Sequence, residues 1–336
     1  MELTWLEDCL ALADTLNFSR AAQRRFVTQP AFSRRIHSLE EWLGTPLFTR
    51  SRKEVLMTPA GEAFVRKASG LAAAIYAARR EALEVAGQQR PALAFLATHV
   101  LSFTFFPAFV RRIESNTCIG AFQLVSDTLR ACEKLMLQGA AQFLLCHHHP
   151  RMPLGLDPEH FERVVVGSDV LQPFSAPKEN GDGRPRWSLA STDAMPLLSY
   201  SADSGLGRII AGHPAFKDVE ARLTPALTSD LAATLLAMCR SGGGVAWLPR
   251  TLVEEDVAKG RLVHAAPGHT QWDISMEICL IRHIGGLSQQ AEDMWQKLKQ
   301  GKLEHYHTWR CTLPGCKPNA VIRLRGGPAL PRTTPP

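Results

Sequence analysis

Apolar residues recur at helical spacing from the start of the chain, at Trp5, Leu6, Cys9, Leu10, Ala13 and Leu16. Asn17-Phe18-Ser19 breaks the pattern. Ser19 has the hydroxyl of an N-cap, so a short second helix is predicted over 20–26. Val27-Thr28 makes a turn, and Thr28 caps a third helix running from Gln29 to Leu43. Pro30 is tolerated in its first turn because the amide there has no intrahelical partner, and Gly44 supplies the stop. On this helix Phe32, Ile36, Leu39 and Leu43 form the buried stripe; Pro30, Arg34 and Glu41 point the opposite way, flanked by Ala31, His37 and Ser38. Two short strands are predicted over 46–48 and 55–57, around a basic tip. Thr58-Pro59 then starts a long helix on which Phe64, Ala68, Leu71, Ile75, Ala78, Ala82 and Val85 repeat as a heptad seam. Its alanines let a second helix approach closely, so it is predicted to pair two copies of the chain.

Beyond a hinge at Gln88-Gln89-Arg90-Pro91, strand and helix patterns alternate. Strands are predicted over 92–97, 119–125, 142–146, 163–166, 196–200, 221–227, 245–247, 262–264 and 274–281. Helices are predicted over 102–113, 128–137, 206–211, 231–240, 250–259 and 289–299. This order implies an α/β architecture with mostly parallel sheets. Gly242-Gly243-Gly244 lacks the Lys-Ser/Thr of a phosphate loop and precedes a strand, so it reads as a helix-to-strand turn.

Composition narrows the class. The 336 residues suffice for two or three domains, and 45% hydrophobic with 21% charged residues is ordinary for a globular protein. No run of about 18 apolar residues suggests a membrane span. The early Glu2 and lack of a basic start argue against a secretory signal, so a cytoplasmic, nucleoid-associated protein with no membrane partner is expected. The eight cysteines have no disulfide-framework spacing, and most read as buried reduced thiols, with no close pair over 92–300. The net charge is +6, and its distribution is more telling. Between Arg20 and Lys53 eight cations face only Glu40 and Glu41, as expected of a phosphate-binding surface.

Within that segment Gln29, Ser33 and Arg34 lie in the first turns of the third helix, where Gln suits adenine and Arg suits guanine in a major groove. Arg52 and Lys53 at the hairpin tip suit phosphates or a minor groove; Arg50 fits either that role or an ion pair to a helix acid. Ser19, Arg20, Thr28, Pro30 and His37 complete the candidate DNA-binding set. Asn17 to Ala22, Thr28 to Ile36, Leu39-Glu40, Leu43-Gly44, Leu47-Phe48, Arg50 and Thr58 to Gly61 together resemble the DNA-binding domain of LysR-type transcriptional regulators. The resemblance implies a winged helix-turn-helix over 1–58 in which Gln29, Pro30, Ser33 and Arg34 face bases or phosphates and Arg50 and Arg52 serve the wing. It implies a dimerisation helix over 59–87 and a two-lobed, periplasmic-binding-protein-like α/β effector domain over 92–300. The first lobe maps to about 92–168 and 270–300, the second to about 169–269. A dimer or tetramer on double-stranded DNA, a small-molecule or oxidant effector, and RNA polymerase are the implied partners.

Polar groups that follow strands are the candidate effector ligands: Thr98, His99, Ser102, Ser126, Thr128, Ser199, Ser201, Ser204 and Thr228. Each also suits a helix N-cap. Around 196–208 and 244–263 the chain looks most like the hypochlorite-responsive branch of the family, for which Met136, Met152, Met195, Met238, Met276 and Met294 offer thioethers. An oxidant sensor and an architectural DNA binder without effector are the alternatives. No nucleophile, acid–base pair or cofactor loop suggests an enzyme, and no cofactor is expected. Cys146-His147-His148-His149 cannot close on one ion without partners elsewhere, which the sequence does not place, so no metal is assigned. The segment 301–336, with Cys311 and Cys316, is rich in Pro, Gly, Arg and Lys and reads as a disordered tail.

Overall fold

The computed structural model describes residues 1–50, 54–86, 92–114, 121–179, 183–285 and 287–300. The N-terminal head consists of α1 (Leu3–Thr15), α2 (Phe18–Arg24) and α3 (Gln29–Leu43), then a hairpin of β1 (Phe48–Arg50) and β2 (Val55–Met57), then α4 (Pro59–Val85). Phe18 and Phe32 meet edge-to-face with centroids 6.0 Å apart, and Cys9, Leu12, Ile36 and Leu39 close the core around them. The second helix starts earlier than Ser19 suggests, because Asn17 is the cap: its side-chain oxygen accepts from the Arg20 amide at 3.0 Å. Gly44 ends α3 in the left-handed region, φ +74°. The turn between α2 and α3 holds Phe26 at φ +54° with its ring almost wholly exposed.

One buried carboxylate ties the three helices together. Asp8 on α1 is inaccessible to solvent and accepts from Arg25 Nε at 2.6 Å and Arg35 Nη1 at 3.4 Å; Arg25 also pairs with Glu7. The wing is anchored similarly. Glu40 on α3 accepts from the Leu47 amide at 2.8 Å and the Phe48 amide at 3.1 Å. The Leu47 amide is thus diverted from the ladder, and β1 begins at Phe48 rather than at Pro46. Thr58 caps α4 by accepting from the Gly61 amide at 3.0 Å. A Cβ at Gly61 would sit 2.1 Å from the Leu47 carbonyl oxygen, so only glycine lets the helix meet the wing. The heptad seam of α4 divides: Ala68 is buried by its own chain, whereas Leu71 and Ile75 are 49% and 43% exposed and Ala78 and Ala82 are also exposed.

The remainder runs β3 (Ala92–Thr98), α5 (His99–Thr104), α6 (Phe106–Glu114), β4 (Ala121–Asp127), α7 (Leu129–Leu137), β5 (Phe143–His148), β6 (Phe161–Ser175), β7 (Met195–Tyr200), α8 (Gly205–Ala211), α9 (Pro214–Glu220), β8 (Leu223–Ser229), α10 (Ala232–Arg240), β9 (Ala246–Pro249), α11 (Arg250–Ala258), β10 (Val263–His264), β11 (Ile274–His283) and α12 (Gln289–Lys299). Strands β4, β3 and β5 are parallel neighbours. β11 pairs antiparallel with both β5 and β6, and β6 pairs antiparallel with β9 and β10. β7 and β8 form a separate parallel pair, bridged through Leu197 to Val245 just before β9.

The sheets are therefore mixed, not mostly parallel. The reason is the pair β6 and β11, which carry the chain out to the β7–β10 region and back. At 15 residues, roughly 50 Å of strand, β6 is long enough to serve both regions. The predicted helix over 102–113 is broken at Phe105, because Pro107 has no amide to continue the helical ladder. α9 was not expected; His213-Pro214 opens it as a new helix. Phe95 stacks on Phe143 at 5.1 Å and Phe143 on Trp295 of α12 at 6.2 Å, which seats that helix on the sheet. The glycine run forms the turn between α10 and β9; a Cβ at Gly244 would lie 2.5 Å from the Pro196 carbonyl oxygen.

Arg130 on α7 reaches back to the head, donating to Asp14 at 3.1 Å and to Asp203 at 3.3 Å. Burial alone would raise the Asp14 carboxyl, but Arg24 and Arg130 outweigh it and hold it below the ordinary aspartate range. Removing the charge that unites the head should be costly. Asp8→Asn leaves two guanidinium groups without their buried counter-charge and should lower the unfolding free energy by about 3 kcal/mol. Urea denaturation followed by circular dichroism measures this; an unchanged midpoint would show that the ion pairs add no stability.

Candidate nucleic-acid interface and effector cleft

The cations between Arg20 and Lys53 separate into two groups. Arg24 pairs with Asp14, and Arg25 and Arg35 with Asp8, so these three act inside the protein. Arg20 and Arg34 make no ion pair among the described residues and are exposed. Gln29, Pro30, Arg34 and His37 line the outward face of α3, with Ser33 half-buried beside them. His37 lies 3.3 Å from Glu41 one turn on. Thr28 occupies the N-cap position of α3 but makes no side-chain cap, which leaves its hydroxyl at the exposed start of the helix. Ser19 and Arg20 are exposed on the first turn of α2. The wing tip, with Arg52 and Lys53, lies outside the described residues, as does the side chain of Arg50.

A second site lies where four helices begin. α5, α7, α8 and α10 each start directly after a strand, and their first residues surround a small cavity of about 30 Å³. Of the expected ligands, Thr98, His99, Thr128 and Ser204 line it. The other five are not brought to it. Ser126 and Ser102 bond to each other at 3.1 Å, and Ser126 also bonds to His99 Nδ1 at 3.1 Å, beside the cavity. Ser199 and Thr228 bond across the β7–β8 pair at 3.0 Å, and Ser201 donates to Asp230. Thr128 performs the cap as well, accepting from the Ala131 amide at 3.3 Å.

Sequence patterns missed Asp127, His147 and Asp230, which also line the cavity. His147 was visible only as part of a histidine run; its position on β5 turns it to the cavity. Its Nε2 lies 3.5 Å from Asp169, itself fully buried and bonded to Thr251 Oγ1 at 2.5 Å. Thr98 Oγ1 and His147 Nε2 are buried and find no hydrogen-bond partner within the chain. Thr98 Oγ1 is a buried polar atom without a partner in a residue that lines the cavity, which is what a polar ligand site presents.

The thiols differ from expectation in one respect. Cys9, Cys132, Cys146, Cys239 and Cys279 are buried and free, as predicted, but Cys146 and Cys279 stand opposite each other on β5 and β11. The sequence could not show a pair 133 positions apart, because only strand register creates it. Burial pushes the Cys279 thiol up to about 12 and the Cys146 thiol well above its ordinary value. Of the methionines considered as oxidant targets, Met136, Met152, Met195, Met276 and Met294 are buried and Met238 is 40% exposed. No helix among the described residues is long and apolar enough to cross a membrane.

Comparison with known proteins identifies the family. Residues 3–62 match the family model of the bacterial regulatory helix-turn-helix protein, LysR family, and residues 86–302 match the LysR substrate binding domain. The chain is 26% identical over 300 residues to the HTH-type transcriptional regulator YjiE of Escherichia coli, covering 89% of this chain and 95% of that one. It resembles the crystal structure of Vibrio fischeri DarR in complex with DNA, with a TM-score of 0.52 at 28% identity over 89% of this chain and 98% of that one. It likewise resembles HypT of Salmonella typhimurium, described as a hypochlorite-specific LysR-type regulator, with a TM-score of 0.53 at 27% identity over 90% and 99% of the two chains. The chain belongs to the LysR family: it is a DNA-binding transcriptional regulator with an effector-binding domain, and not an enzyme.

Proposed function

We propose that residues 1–58 read duplex DNA through α3, that 59–87 pair two subunits, and that 92–300 sense a small polar effector in the cavity where α5, α7, α8 and α10 begin. The observation that carries the DNA reading is the sorting of charge on the head. Arg24, Arg25 and Arg35 are held by acids, which leaves Arg34 on the exposed face of α3 with Gln29, Ser33 and His37 as the reading face and Arg20 for phosphates, while the resemblance assigns Arg50 and Arg52 to the wing, with Lys53 beside them. The exposed Leu71, Ile75, Ala78 and Ala82 on α4 fit a second copy of the same helix, giving a dimer with two heads. Work on promoters brings RNA polymerase within reach as a partner, in the cytoplasm and on the nucleoid.

The effector reading rests on Thr98, whose buried hydroxyl finds no partner in the cavity wall, with His147 beside it. A cavity of about 30 Å³ suits a small polar molecule or ion, with helix starts around it to meet a negative group and Asp127 and Asp230 to accept from a donor. A second reading is favoured by the likeness to HypT: an oxidant modifies a thioether, and Met238 is the accessible target. Graded hypochlorite followed by mass spectrometry separates the two. Modification of Met238 at the dose that changes DNA binding supports the oxidant reading, and an unmodified protein at that dose removes it.

Two variants test the reading head. Arg34→Ala should relax base preference at one position of the operator by about 1–3 kcal/mol, whereas Lys53→Ala should weaken all sequences alike and lower the salt slope by about 1. Gel shifts on the DNA beside the gene and on random duplex, at several salt concentrations, check both. Equal affinity of the wild type for the two duplexes would contradict the proposal. Thr98→Val should leave the fold intact, since it replaces an unbonded hydroxyl by a methyl of similar size. It should abolish the thermal stabilisation that a responding small organic acid or halide gives the wild type; an equal shift in both proteins would place the effector elsewhere.

A further inference from the structure

The run Cys146-His147-His148-His149 lacks partners in the sequence, but the fold supplies them. β5 and β11 run antiparallel in a register that sets His148 opposite Glu277 and Cys146 opposite Cys279. Alternate residues of a strand share a face, so these four side chains stand on one side of the sheet while His147 turns to the other. The pattern Cys-X-His on one strand meets Glu-X-Cys on the next.

The donor atoms converge. His148 Nδ1 lies 3.2 Å from Glu277 Oε2, Cys279 Sγ lies 3.9 Å from the same oxygen, and the three ligand atoms all fall within 4.8 Å of one another. Ligand atoms about 2.0–2.3 Å from a tetrahedral zinc ion stand roughly 3.3–3.7 Å apart, so two of these edges need only small adjustment. The thiol end is sealed, with both cysteines inaccessible, and the Glu277 side chain is 46% exposed, which gives an ion a way in.

We propose that His148, Glu277 and Cys279 form a binding site for a thiophilic divalent cation of the zinc class, and that Cys146, opposite Cys279 in the ladder but outside this close group of three, moves in as the fourth ligand. The donor set is that of a closed zinc centre: two sulfurs, one imidazole nitrogen and one carboxylate oxygen. Binding a divalent cation through sulfur requires thiolates, so it releases the thiol protons to solvent. Two thiolates and one carboxylate then carry three negative charges, which the divalent ion and the nearby Arg163 guanidinium balance. Arg163 Nη1 lies 2.7 Å from His148 Nε2. A guanidinium only donates, so His148 carries its proton on Nδ1 and directs it at Glu277. The cation replaces that proton, Nε2 takes up another, and Arg163 turns from the imidazole toward the thiolates. Arg163 sits on β6, so occupancy of the site is felt by the strand that pairs with β11 and β9.

The test uses the full chain, reduced, stripped with a chelator and titrated with Zn²⁺ or Co²⁺. The expected result is one ion per chain and, with Co²⁺, the near-ultraviolet band of sulfur-to-cobalt charge transfer. Cys279→Ser should weaken binding by about 100-fold or more, beyond the 10–100-fold typical of losing an outer-shell partner. Glu277→Gln, at the solvent edge, keeps the fold and should weaken binding at least tenfold, which stands as the test if the core variant misfolds. Cys311→Ser with Cys316→Ser should leave binding unchanged. Absence of a stoichiometric ion in the wild type, or binding that survives both the Glu277 and Cys279 changes, would overturn the proposal.

Discussion

The antiparallel ladder between β6 and β11 is the constraint on which the larger part of this molecule depends. Without it the parallel strands β3, β4 and β5 and the parallel pair β7–β8 would be separate units, each with helices starting from its strand ends. The two long strands join them, so that helix starts from both sets face one cavity. The ladder also delivers Asp169 next to His147, and it carries β11 alongside β5. Its register therefore determines both which polar groups meet in the cleft and which side chains meet behind it. A one-residue slip would turn every side chain of β11 to the opposite face and dissolve both arrangements.

In the head, a single carboxylate plays the corresponding part. Asp8 has no access to water and must be paired, and the two arginines that pair with it come from the residue that ends α2 and from α3. Positive charge in a DNA-reading segment therefore has two uses. Some of it holds the helices together from within, and in the proposed reading what remains outside serves phosphates and bases. On that reading the count of cations along the chain overstates the surface available to DNA, because Arg24, Arg25 and Arg35 are engaged by acids of the protein itself.

Local signals in the sequence were sound where the structure they describe is local. The bounds of α3, its buried stripe, its glycine stop and the cap on α4 follow from spacing and side-chain chemistry within a few residues. Ser19 was a plausible cap, but Asn17 is an equally good one, and the burial of Phe18 decides for the earlier start. The sequence pattern marks only 163–166 of β6, whereas tertiary pairing with β11 and β9 carries the strand on through Gly167 and Pro173. The cleft was half legible for the same reason. Thr98, His99, Thr128 and Ser204 follow strands directly and were found by position, whereas His147, Asp127 and Asp230 meet them only through topology. The pairing of Cys146 with Cys279 is wholly non-local and left no trace in the sequence.

Together these features describe a head held together by buried charge and a body whose two halves share a pair of strands, with Arg130 of α7 bonded to Asp14 of the head. The central claim, that two such heads read DNA together, is tested most directly by hydroxyl-radical footprinting of the full chain on its bound DNA. The account predicts two related protected half-sites separated by whole turns of the double helix, about 10 base pairs or a multiple of it. A single protected site, or uniform protection of any duplex, would contradict it.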